Sequence, residues 1–115
     1  MSVKIYHNPR CSKSRQTLQL LEEKGVEVDV IEYLKVAPSE EELNSALELL
    51  GFSPRQLMRK GEKVYKELNL GDKDLSGQQL ITAMLENPIL IERPIVFANG
   101  KAAIGRPPES VLNIL

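Results

Sequence analysis

Hydrophobic and polar positions follow two different periods along the chain, and the changes of period mark the structural elements. Residues 3–6 form a short apolar run, and residues 26–33 alternate valines with acidic residues, so both stretches predict strands. Between them, spaced leucines among good helix formers predict a helix from Ser12 to about Lys24, followed by Gly25 at the C′ position. Strand, helix and strand in this order predict a right-handed βαβ unit with parallel strands.

The middle of the chain has a helical period. Ser39 with Glu42, and Ser76 with Gln79, have the spacing of capping boxes ahead of apolar residues three and four positions apart. Each pair therefore predicts the first turn of a helix. Two shorter helices are predicted between these, one at residues 53–61 and one around residues 65–68.

The pattern of a sheet returns near the C-terminus. Residues 94–97 are apolar, Asn99-Gly100 is a strong hairpin turn, and residues 101–104 predict the returning antiparallel strand, followed by a helix at 109–115. The order β-α-β, helical insert, β-β-α is that of an α/β thioredoxin-like domain with a four-stranded mixed sheet. We therefore expect a single domain over residues 1–115, with a helical insertion at about 39–91.

Composition excludes several classes of protein. The 115 residues are 42% hydrophobic and 27% charged, which is ordinary for a globular domain, and the net charge of −1 gives no reason to expect a nucleic-acid or membrane surface. No stretch approaches the roughly 20 apolar residues of a membrane span. We expect a soluble cytoplasmic protein, and because nothing requires an oligomer, we expect a monomer.

Cys11 is the only cysteine, and it lies in the loop between the first strand and the first helix. Unpaired backbone N–H groups at a helix N-terminus lower the pKa of a thiol and also bind oxyanions, and Arg10, Lys13 and Arg15 add positive charge nearby. The alternative is a small buried hydrophobic residue, but these polar neighbours argue against it. One cysteine cannot form a disulfide within the chain, so redox chemistry needs a second thiol from another molecule.

Two arginines stand at places where a chain usually turns or enters a core. Arg93 lies between the end of a helix and an apolar strand, and Arg106 lies between Gly105 and Pro107. The planar guanidinium matches a tetrahedral oxyanion and keeps its charge, although a solvated surface position is the alternative for each. His7 is a candidate general base or orienting hydrogen-bond partner, and Ser14 is a candidate donor to the thiolate or a polar residue of the first turn.

Four separated stretches resemble, in order and spacing, the glutaredoxin-coupled arsenate reductase family, and together they extend over nearly the whole chain. They are residues 5–15 (IYHNPRCSKSR), 57–60 (LMRK), 87–96 (NPILIERPIV) and 105–109 (GRPPE). The resemblance implies that Cys11 attacks arsenate and that Arg59, Arg93 and Arg106 bind the oxyanion. Arg55 competes with Arg59 on the same short helix, and only the motif prefers Arg59.

The resemblance also implies supporting residues, co-substrates and partners. His7 and Ser14 match family positions near the cysteine, and Pro94 would have a cis peptide bond facing it. The substrate would be arsenate or a similar oxyanion, glutathione would be a co-substrate, and glutaredoxin would be the protein partner. No bound cofactor and no metal are expected.

Several other functions remain open at this stage. Related thioredoxin-like regulators bind RNA polymerase, and many carry a Cys-x-x-Cys switch where this chain has Cys11 and Ser14. A general glutaredoxin, or a thiol oxidoreductase with another substrate, is also possible. A phosphatase-type reductase is excluded, because its Cys-x₅-Arg loop needs an arginine where this chain has Thr17. Lys13 departs from the small neutral residues expected in the anion loop, and could change affinity or point outward.

Overall fold

A computed structural model describes residues 3–115 and contains the predicted order of elements. The strands are β1 (Val3–Tyr6), β2 (Val28–Ile31), β3 (Ile95–Ala98) and β4 (Lys101–Ile104). The α-helices are α1 (Ser12–Glu23), α2 (Glu40–Leu50), α3 (Lys63–Glu67) and α4 (Gly77–Glu86). Three 3₁₀-helices lie at Pro54–Leu57, Pro88–Leu90 and Pro108–Ile114. Within the described range, every helix is too short or too polar to cross a membrane.

The four strands form one mixed sheet in the order β2-β1-β3-β4, which confirms the predicted thioredoxin-like fold. β1 is parallel to β2 and antiparallel to β3, and β3 is antiparallel to β4. Tyr6 is opposite Ile95, and Ile95 is opposite Ile104. The end of β1, the start of β3 and the end of β4 therefore meet at one edge of the sheet.

The sheet belongs to a compact unit made of residues 3–36 and 93–115, and one face of the sheet forms the core of this unit. Alternate residues of β1 and β3 point to the same face, where they pack against α1 and the C-terminal 3₁₀-helix. Burial of each large aliphatic side chain contributes about 1.5–3 kcal/mol to stability. The buried cluster comprises Val3, Ile5, Leu21, Val96, Ala98, Val111 and Ile114.

β2 is shorter than the predicted strand at residues 26–33. Each residue of β2 is paired with one residue of β1, from Val28 opposite Val3 to Ile31 opposite Tyr6. Since β1 ends at Tyr6, β2 ends at Ile31. Beyond the ladder, the His7 N–H donates a 2.8 Å hydrogen bond to the Ile31 carbonyl. Tyr33 is fully buried instead of continuing the strand, and its ring centroid lies 6.3 Å from that of Tyr6.

Residues Ala37–Glu92 form a second compact unit, which contains the predicted insertion at about 39–91. Both predicted capping boxes are present: Ser39 with Glu42 begins α2, and Ser76 with Gln79 begins α4. Whether the chain behaves as one domain stays a prediction. The first two residues of the predicted domain lie outside the described part of the chain.

The predicted helix at residues 53–61 is wrong beyond its first turn. The chain forms a 3₁₀-helix at Pro54–Leu57 and then becomes extended at Met58, which makes an antiparallel bridge with Ile91. The Glu92 N–H donates to the Leu57 carbonyl at 2.8 Å. Pairing with a distant segment overrides the local helical tendency, because it satisfies backbone groups that a short helix leaves unpaired.

The C-terminal helix is a 3₁₀-helix rather than the predicted helix at residues 109–115. Its buried residues are Pro108, Val111 and Ile114, which are three positions apart. A 3₁₀-helix has three residues per turn, so this spacing places all three side chains on one side, toward the sheet.

We expect Gly105→Ala to destabilise the protein, because the backbone at Gly105 packs directly against two other elements. A methyl group there would overlap Thr17 Oγ1 and lie 2.8 Å from Pro94 Cγ. Overpacking of this kind typically lowers the free energy of unfolding by about 1–3 kcal/mol. Urea unfolding measures this change. Gly61→Ala is the matched control, because a methyl group at Gly61 meets nothing within 4 Å. Equal stability of the two variants would contradict the close packing.

Candidate active site

The loop that presents Cys11 is held by Asn8, which is 4% exposed. The Asn8 side-chain oxygen accepts from the Arg10 N–H at 3.0 Å, and its carbonyl accepts from the Cys11 N–H at 3.0 Å. Arg15 donates from Nη1 to the Pro9 carbonyl at 2.9 Å. These bonds fix the path of the loop from the end of β1 to the start of α1.

Cys11 is the N-cap residue of α1. Its backbone is extended (φ −94°, ψ 122°), and its carbonyl accepts the first hydrogen bond of the helix from the Arg15 N–H at 3.0 Å. The Ser14 backbone N–H interacts with the Cys11 sulfur, although not with the geometry of a regular capping bond. The sulfur therefore lies where the helix presents partial positive charge.

Two arginines from the facing edge of the sheet contact the same sulfur. Arg106 Nη2 donates to Cys11 Sγ at 3.4 Å, and Arg93 also donates a side-chain hydrogen bond to it. Arg106 Nε donates to the Arg93 carbonyl at 2.8 Å, so one arginine orients the other. Arg93 is 9% exposed, whereas Arg106 is exposed, so a ligand can approach from the side of Arg106.

These contacts lower the pKa of the Cys11 thiol. Burial alone raises that pKa, but the Ser14 backbone N–H, the Arg93 hydrogen bond and the charges of Arg106 and Arg93 outweigh it. The positive charges that lower the pKa of Cys11 thus belong to residues distant in sequence, and not to the neighbours Arg10, Lys13 and Arg15. The predicted direction of the shift is confirmed, and its physical source differs from the expected one.

His7 and Ser14 form a buried pair behind the cysteine. His7 Nδ1 lies 2.6 Å from Ser14 Oγ, which also accepts from the Asn8 N–H at 3.0 Å. Burial lowers the pKa of His7 against a smaller opposite effect of Glu32. We therefore assign a neutral ring whose Nδ1 accepts the Ser14 hydroxyl proton. With its hydroxyl so engaged, Ser14 acts on Cys11 through its backbone N–H.

Pro94 has the cis peptide bond that the resemblance implied, and it follows Arg93 directly. Its carbonyl accepts from the Gly105 N–H at 3.0 Å, which ties the start of β3 to the end of β4. The Arg106–Pro107 bond is also cis, which the sequence analysis did not predict. Both arginines of the site therefore precede a proline in the cis conformation.

Arg59 belongs to the Ala37–Glu92 unit, where two carboxylates hold it. Its Nε donates to Glu62 at 3.0 Å and its Nη1 to Glu92 at 2.7 Å. Burial lowers the pKa of Arg59, but the two carboxylates together raise it by more, so the net shift is upward. A place for Arg59 beside Cys11 stays a prediction.

Arg55, the competitor of Arg59, has a structural role in the same unit. Its guanidinium donates to the Tyr65 hydroxyl at 3.0 Å and to the carbonyls of Leu70 and Asp72 at 2.6 and 2.9 Å. These hydrogen bonds close the loop after α3, so the guanidinium group of Arg55 is engaged in contacts within the Ala37–Glu92 unit.

Two residues of the site were missed as functional residues by the sequence analysis. Asn8 organises the cysteine loop, and the signal for it is an Asn before Pro, which favours a side-chain turn. Thr17 is fully buried, and its hydroxyl donates to the Lys13 carbonyl at 2.8 Å and lies 3.5 Å from the Gly105 carbonyl. No local signal marks Thr17, since its partner at Gly105 is distant in sequence.

The structure thus brings together most of the residues that the sequence singled out. At this edge of the sheet lie Cys11, Arg93, Arg106, His7, Ser14 and Pro94. Among residues 3–115, no group of three His, Cys, Asp or Glu side chains could hold a metal ion. The arrangement favours the thiolate form of Cys11 and can bind an anion next to it.

The sheet and this edge define the class: a thioredoxin-like protein with one activated thiol flanked by arginines. Residues 6–114 match the model of the ArsC family, and the chain belongs to that family. An arsenate reductase of Haemophilus influenzae is 53% identical over 116 residues, with 100% of both chains covered. The protein YfgD of Escherichia coli K12 is 60% identical over 114 residues, which are 98% of this chain and 96% of YfgD.

A solved structure supports the same assignment. The arsenate reductase from Vibrio cholerae has a TM-score of 0.97 with this chain at 59% sequence identity. The match covers 100% of this chain and 98% of that one. The fold is therefore shared with this relative over essentially the whole length of both chains.

We expect Arg106→Ala and Arg93→Ala each to raise the pKa of Cys11, because each removes a hydrogen-bond donor and a positive charge from the sulfur. The pH dependence of iodoacetamide alkylation measures this pKa directly. Arg10→Ala is the control, because it removes the same charge from an exposed side chain next to Cys11 in the sequence. A pKa that shifts equally in all three variants would mean that the specific contacts do not matter.

Because the pKa of His7 is lower in the folded protein than in the unfolded chain, the unfolded state binds more protons below about pH 6.5. The stability contributed by neutral His7 is therefore complete above about pH 6.5 and is lost as the pH falls below it. His7 is the only histidine, and carboxylates with ordinary pKa values stay ionised at about pH 5.5. We expect urea unfolding at about pH 7.5 and about pH 5.5 to show a larger loss for wild type than for His7→Asn. An equal loss in both proteins would contradict a neutral buried His7.

Proposed function

We propose that this protein reduces arsenate to arsenite, with Cys11 as the nucleophile and with glutathione and glutaredoxin supplying the electrons. The observation that supports this most is the Cys11 sulfur, which receives hydrogen bonds from both Arg93 and Arg106. Relatives with 53% and 59% identity over essentially the whole chain are named arsenate reductase. The protein is accordingly an oxidoreductase in this proposal.

The first step is attack of the Cys11 thiolate on arsenic(V). The lowered thiol pKa increases the fraction of thiolate at neutral pH, and thiolate is the nucleophilic form. A new sulfur–arsenic bond forms as one arsenic–oxygen bond of dihydrogen arsenate breaks, and that oxygen leaves as water with the two arsenate protons. His7 and Ser14 act as positioning residues, since their hydrogen bond holds the first turn of α1 whose backbone N–H faces the sulfur.

Arginines remove the electrostatic barrier to this attack. A thiolate and an arsenate repel each other, and guanidinium groups beside the sulfur offset that repulsion while donating to arsenate oxygens. A hydrogen bond to a charged group is worth about 1.5–3 kcal/mol, so each arginine contributes roughly 10- to 150-fold to kcat/KM. We assign this role to Arg93 and Arg106 because both contact the sulfur. We assign it to Arg59 because of the family resemblance alone.

Reduction needs two electrons, and this chain has one thiol. Glutathione, as its thiolate, attacks the Cys11 sulfur of the adduct. A sulfur–sulfur bond forms, the sulfur–arsenic bond breaks, and its electron pair stays on arsenic, which passes from the +5 to the +3 state as arsenite. Glutaredoxin then reduces the mixed disulfide before or with arsenite release. An external thiol follows from the single cysteine, whereas the choice of glutathione and glutaredoxin follows from the resemblance.

Arsenate-dependent oxidation of NADPH, coupled through glutathione, glutathione reductase and glutaredoxin, tests this proposal. We expect wild type to turn over and Cys11→Ser to lose essentially all activity, since it has no nucleophile. Arg93→Ala should lose roughly 10- to 150-fold in kcat/KM, from the loss of one charged hydrogen bond. Arg10→Ala is the control, because its side chain is exposed and it should stay close to wild type.

Two results would contradict the proposal in different ways. Activity in Cys11→Ser would remove Cys11 as the nucleophile. An inactive wild type whose Cys11 is still alkylated would mean that arsenate is the wrong substrate. Other oxyanions, mixed disulfides and RNA polymerase subunits would then be the substrates and partners to test.

A further inference from the structure

Thr17 is a fully buried polar residue of α1, although threonine is mostly found at protein surfaces. The buried residues of this helix are Ser14, Thr17 and Leu21, and their spacing places them on one face. The Thr17 hydroxyl donates to the Lys13 carbonyl at 2.8 Å, one turn earlier in the helix. This bond satisfies the buried hydroxyl and fixes the rotamer of a side chain that is already stiff at its branched Cβ.

The backbone of Gly105 packs directly against this fixed side chain. Thr17 Oγ1 lies 3.5 Å from the Gly105 carbonyl oxygen. Because the single hydroxyl proton is directed to the much closer Lys13 carbonyl, the approach to Gly105 is mainly a packing contact. A Cβ atom at Gly105 would overlap Thr17 Oγ1 and lie 3.0 Å from Thr17 Cγ2. Both branches of Thr17 therefore limit how closely the chain at Gly105 can approach α1.

Gly105 links Thr17 to the segments that carry the two arginines of the site. The Gly105 N–H donates to the Pro94 carbonyl at 3.0 Å, and a Cβ atom at Gly105 would lie 2.8 Å from Pro94 Cγ. Arg106 follows Gly105 in the sequence, and Arg93 precedes Pro94. The junction of Thr17, Gly105 and Pro94 thus joins the same three elements that bring their charged or reactive groups together at the sulfur.

We propose that Thr17 is a positioning residue that sets the distance between the first turn of α1 and the guanidinium group of Arg106. Thr17 is bonded to Lys13 in the turn that Cys11 begins, and it packs against the residue before Arg106. Arg106 Nη2 lies 3.4 Å from Cys11 Sγ, so a shift of α1 relative to Gly105 changes this contact directly. The inference goes beyond the proposed function, because the contact lies within the protein and requires no particular substrate.

The hydroxyl group is the feature of Thr17 that this role requires. In Thr17→Val, a methyl group in place of the hydroxyl would lie 2.8 Å from the Lys13 carbonyl oxygen. Carbon and oxygen atoms in contact are usually about 3.3–3.6 Å apart, so the side chain or the helix must move and the fit against Gly105 changes. Thr17→Ser keeps the hydroxyl and its bond to Lys13, and is therefore the conservative variant that should restore the wild-type spacing.

Alkylation by iodoacetamide tests the proposal, because Cys11 is the only cysteine and its thiolate is the form that reacts. We expect Thr17→Val to raise the pKa of Cys11 by about 0.5–1, as for partial loss of a charged hydrogen bond. At a pH below that pKa, alkylation should slow by about three- to tenfold. Thr17→Ser should match wild type, and Thr17→Ala, which removes both branches, should shift the pKa in the same direction as Thr17→Val.

Leu21→Ala is the control for a purely structural effect. Leu21 is fully buried on the same face of α1 and belongs to the hydrophobic core of the unit. Its truncation should lower stability in urea and leave the pKa of Cys11 unchanged. An equal rise of the pKa in Leu21→Ala would overturn the proposal, because the shift would then follow general destabilisation. An unchanged pKa in both Thr17→Val and Thr17→Ala would overturn it as well.

The double variant Thr17→Val/Arg106→Ala shows whether Thr17 acts through Arg106. If it does, the pKa of Cys11 in the double variant equals that in Arg106→Ala alone, because the contact that Thr17 positions is already lost. Additive shifts would overturn the proposal, since Thr17 would then act on the sulfur by another route. These measurements use no arsenate, so a wild-type protein that fails to reduce arsenate would contradict the proposed function and leave the role of Thr17 standing.

Discussion

The candidate active site depends on one interaction, which is the contact between the Cys11 sulfur and the positive groups around it. A thiol near a folded core is harder to ionise, because burial penalises the charged form. The Ser14 backbone N–H, Arg93 and Arg106 together reverse that effect, and all three act directly on the sulfur. The structure around Cys11 is best understood as the framework that aims these three donors.

Sheet topology supplies that framework. Parallel pairing with β2 and antiparallel pairing with β3 place the end of β1, the start of β3 and the end of β4 at one edge. Residues more than eighty positions apart in sequence, Cys11 and Arg93 or Arg106, are brought into contact there. The buried face of the same strands packs against α1, so the core that stabilises the unit also fixes the helix whose N-terminus holds the sulfur.

The charged groups that act directly on Cys11 are cationic. Arg93 and Arg106 both donate to the sulfur, and Arg106 Nε also donates to the Arg93 carbonyl at 2.8 Å. This arrangement suits an oxyanion next to the sulfur.

Local physical chemistry determined most of what the sequence predicted correctly: the existence of the four strands, the start of α1 just after Cys11, and the two capping boxes at Ser39 and Ser76. These features depend on residues within a few positions of one another, so the sequence alone contains them. Tertiary structure alone decided the extended backbone at Met58, the length of β2, the 3₁₀ form of the C-terminal helix and the cations that act on Cys11. Each of these depends on a partner far along the chain, and pairing of distant segments is what a local pattern cannot specify.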